Sequence, residues 1–186
     1  MKFWTIQTKR VIEIIQEEGI YQPDFNCSRY LEINAKLVDL YSIILQSFNQ
    51  INEMNLSGIV YAFAKLDEDR ICSINSIEEF TKFIKSKRSV INGFWNQLDK
   101  DNSIIMELDY EGGFNPIFID INDFQFLMPP IMMLYPYTPE SIKRILTDIR
   151  MGQITTSELQ SNVIQAHLPY IEKKNMVNVY PLFDLE

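Results

Sequence analysis

The chain has 186 residues, 46% of them hydrophobic and 23% charged, and 25 acidic against 17 basic side chains give a net charge of −8. This length fits a single globular domain over 1–186 whose core needs neither a disulfide nor a metal. The acidic balance argues against nucleic acid as a partner, because phosphate binding requires a basic face.

"FWTIQ", Phe3 to Gln7, predicts a strand, since aromatic and β-branched residues suit a pleated surface. Alternation puts Phe3, Thr5 and Gln7 on one face and Trp4 and Ile6 on the other. Trp4 and Ile6 are the expected core pair, and Thr5 and Gln7 the expected site pair. Thr8 is placed to cap a helix over Lys9 to Glu18, with Val11, Ile14 and Ile15 on its apolar face and Gly19 as its C-cap. Ile20 and Tyr21 re-enter the core, and Pro23 prevents the helix from resuming. From Ser28 to Glu53 apolar residues recur every three or four positions, which predicts one central helix of about seven turns.

"IVYAFAK", Ile59 to Lys65, reads as the next strand and "LDEDR" as a turn. Ser76 and Glu79 form a capping box for a helix to Lys87, and a shorter helix runs from Ser89 to Leu98. The basic run Lys82 to Ser89 is a solvated helix end in this reading, its cations complementing the dipole. "SIIMELD", Ser103 to Asp109, is a strand, 110–116 a loop, and "IFIDI", Ile117 to Ile121, a second strand. "FQFLMPPIMMLYPYTP" is broken by four prolines and cannot be one regular element. It reads as a loop packed over the core, with an exposed partner-binding patch as the alternative. Thr138-Pro139-Glu140 starts a helix to Arg150, ended by Gly152. Thr155 and Glu158 predict another capping box and a helix to Leu168, and Asn175 to Phe183 predicts a closing strand. The expected fold is α+β: one mixed, mainly antiparallel sheet of about five strands packed with about six helices.

No phosphate-loop, dinucleotide, nucleophile-elbow or zinc-protease motif is present. Cys27, Cys72 and the single histidine, His167, lack ligand spacing, so no metal is expected. His167 reads as a local hydrogen-bonding group at a helix end, and both cysteines as buried, inert thiols of a cytoplasmic protein. No apolar run is long enough to span a bilayer, so no membrane role is expected. Glu107 and Asp109 share a strand face. They fit a paired-acid site, with Glu107 the one catalytic candidate, or simply the wet side of a strand.

"FWTIQ", "EEGIY", "IIMELDYEGGFNPIFIDINDF" and "VIQAHLPYIEKKNMVNVYPLF" together resemble the bacterial domain-of-unknown-function family 3841. The matching positions are Trp4, Thr5, Ile6, Gln7, Gly19, Tyr21, Glu107, Ile164, Gln165 and Ala166. Tyr61 and Phe63 stand where that family often carries Trp-x-Trp. Plentiful Ile, Asn and Lys with scarce Ala and Gly read as an AT-rich bacterial or phage coding sequence, and the resemblance itself implies no particular activity. The order of first strand, glycine-ended helix and late glutamate strand is also similar to ADP-ribosyltransferase-like folds. That likeness implies an NAD site lined by Trp4, Gln7, Tyr21, Tyr61 and Glu107, although the first strand has no His or Arg. Thr5 and Asp109 complete the ligand-binding candidates. Two functions are expected from these features. One is a non-catalytic accessory protein, without cofactor, that meets a protein partner or a second copy through Met128 to Tyr137. The other is an NAD- or nucleotide-binding protein of the transferase-like kind, active or degenerate.

Overall fold

The computed structural model describes residues 1–131, 135–155 and 158–185. The chain is α+β, and its main sheet has seven strands, two more than expected. They are β1 (Lys2–Thr8), β3 (Val60–Asp67), β4 (Arg70–Cys72), β5 (Ser103–Asp109), β6 (Ile117–Asp120), β7 (Val163–Leu168) and β9 (Met176–Pro181). The order is β6-β7-β3-β1-β5-β9 with β4 added to β3, and the pairings are antiparallel. Two short strands, β2 (Ile20–Tyr21) and β8 (Ile171–Glu172), pair separately.

Both faces of this sheet are covered. On one, Phe3, Val60, Ala62, Met106 and Ala166 pack under Val11 and Ile15 of α1 (Lys9–Glu18). On the other, Trp4, Phe63 and Ile105 meet Phe80 and Ile84 of α4 (Ile77–Ser86) and Ile91 and Trp95 of α5 (Arg88–Trp95). Farther along that same face, Ile117 and Ile119 meet α3 (Val38–Asn52), α6 (Ile121–Leu127) and α7 (Pro139–Met151). So Phe3 and Thr5 are buried as completely as Trp4. Thr8 stands at the N-cap of α1 without a side-chain cap bond, while Gly19, at φ 80°, closes that helix in the left-handed region as expected.

The single long helix does not form. The segment divides into α2 (Arg29–Ile33), a 3-10 turn over Ala35–Leu37, and α3. Asn34 marks the break: its φ and ψ are −110° and 53°, and its amide donates to the Tyr30 carbonyl at 2.8 Å. A short polar side chain competes here with the backbone for a helical acceptor. Tyr30 and Ile33, which fall on that apolar spacing, are exposed as a result.

The second correction is at Thr155. Residues 156 and 157 lie outside the described residues, but the expected helix to Leu168 is replaced by strand β7. Thr155 accepts the backbone N–H of Asp120 instead of capping, and Glu158 accepts from Ser141 and Arg144. Val163 to Leu168 is buried at every position, with β3 on one side and β6 on the other. A strand buried on both faces shows no alternation, so tertiary pairing overrides the local reading. The proline-rich stretch is also more than a loop. Phe124, Phe126 and Leu127 are buried on α6, and Phe126 stacks on Tyr137 at 3.9 Å, while Tyr135 is 98% exposed. Positions 132–134 lie outside the described residues.

The β1–β3 seam is unlike the other ladders. β1 pairs with β5 at seven positions but with β3 only at Trp4–Phe63. On one side of that pair, β4 takes up the edge of β3 from Lys65 to Asp67, and the following Ser73 and Ile74 accept hydrogen bonds from Lys2 N and Trp4 Nε1. On the other side the Thr5 hydroxyl donates to the Tyr61 carbonyl at 2.6 Å. Trp4 therefore anchors the seam, fully buried and stacked on Phe80 at 4.9 Å. Trp4→Ala is expected to cost about 3–5 kcal/mol of unfolding free energy. Urea denaturation measures this, and a near-neutral result would remove Trp4 from that role.

Candidate functional site

A groove of about 540 Å³ opens beside the Thr5 end of this seam. Gln7 contributes from β1, Ile14 from α1, Tyr21 from β2, Ile59 to Tyr61 from the start of β3, and residues 22–25 and 27–29 form the opposite wall. The wall has a local cause. Pro23 stops further helix, the Asp24 carboxylate accepts the N–H of Asn26 at 2.9 Å, and Phe25 N donates to Ser57 O at 2.9 Å. Gly58 allows the approach, because a Cβ there would lie 2.7 Å from the Pro23 carbonyl oxygen. β2 is held by β8, with Tyr21 opposite Ile171.

The groove has one cation, Arg29, and one carboxylate, Asp24. Asp24 is occupied by its own turn. Arg29 is exposed and has no ion pair among the described residues. Burial pushes the phenols of Tyr21 and Tyr61 up, so both stay protonated; the Tyr61 ring itself packs on Phe63 and Phe94 at the sheet face opposite α1. The groove wall thus combines aromatic rings, the Gln7 and Gln22 amides and a cation. Such a set suits a polar ligand with a planar ring and a negative charge.

Three of the expected site residues, Gln7, Tyr21 and Tyr61, converge on this groove. Thr5 sits directly beneath: its Oγ1 accepts from Gln7 Nε2 at 2.8 Å while donating to Tyr61 O. Trp4 lies in the core of the opposite face. Glu107 faces the same side as Trp4, its partner across the β1–β5 ladder. It is separated from Ile104, the partner of Gln7, by three residues, or about 10 Å of strand. Glu107 is buried and fully engaged, accepting from Lys2 Nζ at 2.5 Å and from Asn178 Nδ2 and Tyr180 OH at 3.2 Å. Burial pushes its carboxyl up, but these three donors, Lys2 first, hold it below the ordinary range. Asp109 is exposed and accepts from the Met1 ammonium at 3.0 Å. The two acids share a face and have separate partners.

Sequence reasoning missed Arg29, which was hidden inside the supposed long helix. It also placed both cysteines in the interior, whereas Cys27 is exposed and Cys72 half-buried, and it placed His167 on a helix end. His167 is in fact on β7, 1% exposed, with Nδ1 3.3 Å from the Ile117 carbonyl. A carbonyl only accepts, so Nδ1 carries the proton. Among the described residues no group of three His, Cys, Asp or Glu side chains is placed to hold a metal ion. None of the described helices is long and apolar enough to cross a membrane. Comparison of the chain with protein-family models, with curated proteins and with solved structures gives no match.

Burial lowers the His167 pKa to about 4, against the opposing effect of its carbonyl bond. In the unfolded chain it titrates near 6.5, so the unfolded state binds the extra proton between these values. His167 is therefore expected to withdraw about 3 kcal/mol of stability as pH falls from about 6.5 to about 4. Urea midpoints measured across that window check this, and His167→Phe should flatten the window relative to wild type. An equally steep decline in the variant would assign the loss to other groups.

Proposed function

We propose that this chain is a binding protein for a nucleotide-type ligand, held in the groove beside the β1–β3 seam. The observation that carries the reading is the meeting of Gln7, Tyr21 and Tyr61, from three separate segments, with Arg29, which has no ion pair among the described residues. Arg29 supplies the anchor for a phosphate, and Tyr21 and Phe25 supply ring surface. The Gln7 and Gln22 amides supply hydrogen bonds to a base or a ribose. The volume falls within the range of about 300–1,000 Å³ that small-molecule sites occupy. The likeness to ADP-ribosyltransferase-like folds points to NAD or ADP-ribose as the first ligands to try. No transfer step is part of the proposal, because Glu107 is committed to Lys2, Asn178 and Tyr180. A bacterial or phage cytosolic protein related to family 3841 is the setting in which we place it, with Cys27 and Cys72 as free thiols.

A thermal-shift screen against NAD, ADP-ribose and ATP tests the reading. Ligand at about 100 times its dissociation constant adds about 2.7 kcal/mol, a rise of about 5–11 °C for a chain of this size. The rise is expected to disappear in Arg29→Ala and Tyr21→Ala and to survive in Glu107→Gln. A flat screen, or a shift indifferent to Arg29 and Tyr21, overturns it. A flat screen would favour the second reading, an accessory protein that meets a partner through Met128 to Tyr137. The bare Tyr135 ring and the 43% exposure of Ile131 support that reading.

A further inference from the structure

The two ends of the main sheet, β6 and β9, are finished differently. The outer edge of β6 is covered: the Phe118 carbonyl accepts from Thr155 N at 3.2 Å, and Asp120 N donates to the Thr155 hydroxyl at 2.8 Å. β9 has β5 on one side, and no strand among the described residues pairs with the other. Three consecutive residues of β9, Val177, Asn178 and Val179, are exposed, the two valines by 45% and 38%. Edge strands are ordinarily blunted by charge, proline or a bulge, because their outward N–H and C=O groups template further pairing. β9 has a bulge opposite Glu107 and Leu108 and ends at Pro181, but it carries no charged side chain from Met176 to Pro181.

We propose that β9 is a self-association edge, at which a second copy of this chain pairs antiparallel to form a two-fold dimer. The choice of partner follows from the strand's own sequence. Met176-Val177-Asn178-Val179-Tyr180 is close to a palindrome. A two-fold contact demands a surface complementary to itself, in which residue i meets j while j meets i. With Asn178 on the axis, Val177 of each copy lies opposite Val179 of the other, and Met176 opposite Tyr180, so apolar residues meet on both sides of the axis. Charge agrees with this direction. Lys173 and Lys174 precede the strand and Asp184 follows it, all three exposed. Antiparallel pairing brings the basic end of one copy toward the acidic end of the other. The dimer is closed, because the two-fold contact uses the β9 edge of both copies and the covered β6 edge offers no site for growth. The bulge and Pro181, which has no N–H, keep the paired segment short, so the contact belongs to the weak class of interfaces. Neither the groove nor Arg29 takes part in it.

Sedimentation equilibrium of the wild-type chain from about 1 μM to about 1 mM tests the proposal, a range that spans the affinities of weak contacts. The average mass is expected to climb from the 21.9 kDa of one chain toward twice that value. Val179→Lys sets like charges on both sides of the axis and is expected to hold the mass at one chain at every concentration. Its thermal midpoint in dilute solution is expected to match wild type, since the side chain is exposed. Asn178→Cys, in a chain with Cys27→Ser and Cys72→Ser, reads the register. Mild oxidation is expected to link two copies through position 178. Gln16→Cys, on the exposed side of α1 in the same background, is expected to stay unlinked. A wild-type mass fixed at one chain across the range overturns the proposal and leaves β9 as an edge for another protein's strand or for solvent. Self-association that survives in Val179→Lys, or a folded Asn178→Cys variant that fails to cross-link while the wild type dimerises, overturns it by placing the contact elsewhere.

Discussion

The constraint on which the rest depends is the narrow joint between β1 and β3. A seven-stranded sheet is joined across its middle by one residue pair, Trp4 with Phe63, and by the bond from the Thr5 hydroxyl to the Tyr61 carbonyl. Strands in a sheet satisfy their backbone groups through the ladder. Where β1 and β3 separate, side chains must do this instead. Thr5 serves both strands, bonding across to Tyr61 and along its own strand to Gln7. The groove exists because the ladder stops there. Gly58 and the turn at Pro23 then bring a second wall against the opening.

The two halves of the sheet keep their positions because the layers span the joint. Trp4 and Phe63 both pack on Phe80 of α4, with ring centroids 4.9 and 6.0 Å away. On the other face Phe3 from one half and Phe118 from the other lie 6.4 Å apart. The ends of the chain are drawn in by charge. The Met1 ammonium meets Asp109, and Lys2 meets Glu107, whose second oxygen accepts from Asn178 and Tyr180 of β9. Glu107 thus joins the first strand to the last. Its place in the sheet explains its chemistry better than a catalytic role does, because every donor around it is already a structural partner.

Much of this architecture was legible in the sequence. The Ser103–Asp109 strand, the Gly19 and Gly152 helix stops, and the Thr138-Pro139 helix start all depend on local rules of alternation and capping, and all appear where those rules place them. The failures have physical causes. Asn34 broke a helix whose apolar spacing looked continuous, because side-chain competition for a carbonyl leaves no mark on hydrophobic periodicity. Val163 to Leu168 is buried on both faces, so its pattern reads as either helix or strand. Gln7 was a candidate from the alternation of the first strand, and Tyr21 and Tyr61 from the likeness to transferase-like folds; all three line the groove. Gln7 lies on the α1 face, whereas Trp4, Tyr61 and Glu107 share the opposite face, and register rather than composition decides that. Arg29 could not be found until the element that carries it was correctly assigned.

The joint itself can be measured most directly by native-state hydrogen exchange of β1 and β3 in the wild type and in Thr5→Val. The substitution keeps the shape of the side chain and removes the hydroxyl that serves Tyr61 and Gln7. The account predicts that the amides β1 and β3 turn toward each other open at a lower free energy than those of the β1–β5 ladder. It also predicts that Thr5→Val lowers that opening energy further, by about 1–3 kcal/mol. Seam amides as protected as the β1–β5 ladder, and unchanged in Thr5→Val, would contradict the claim that this joint is where the sheet parts and the groove is made.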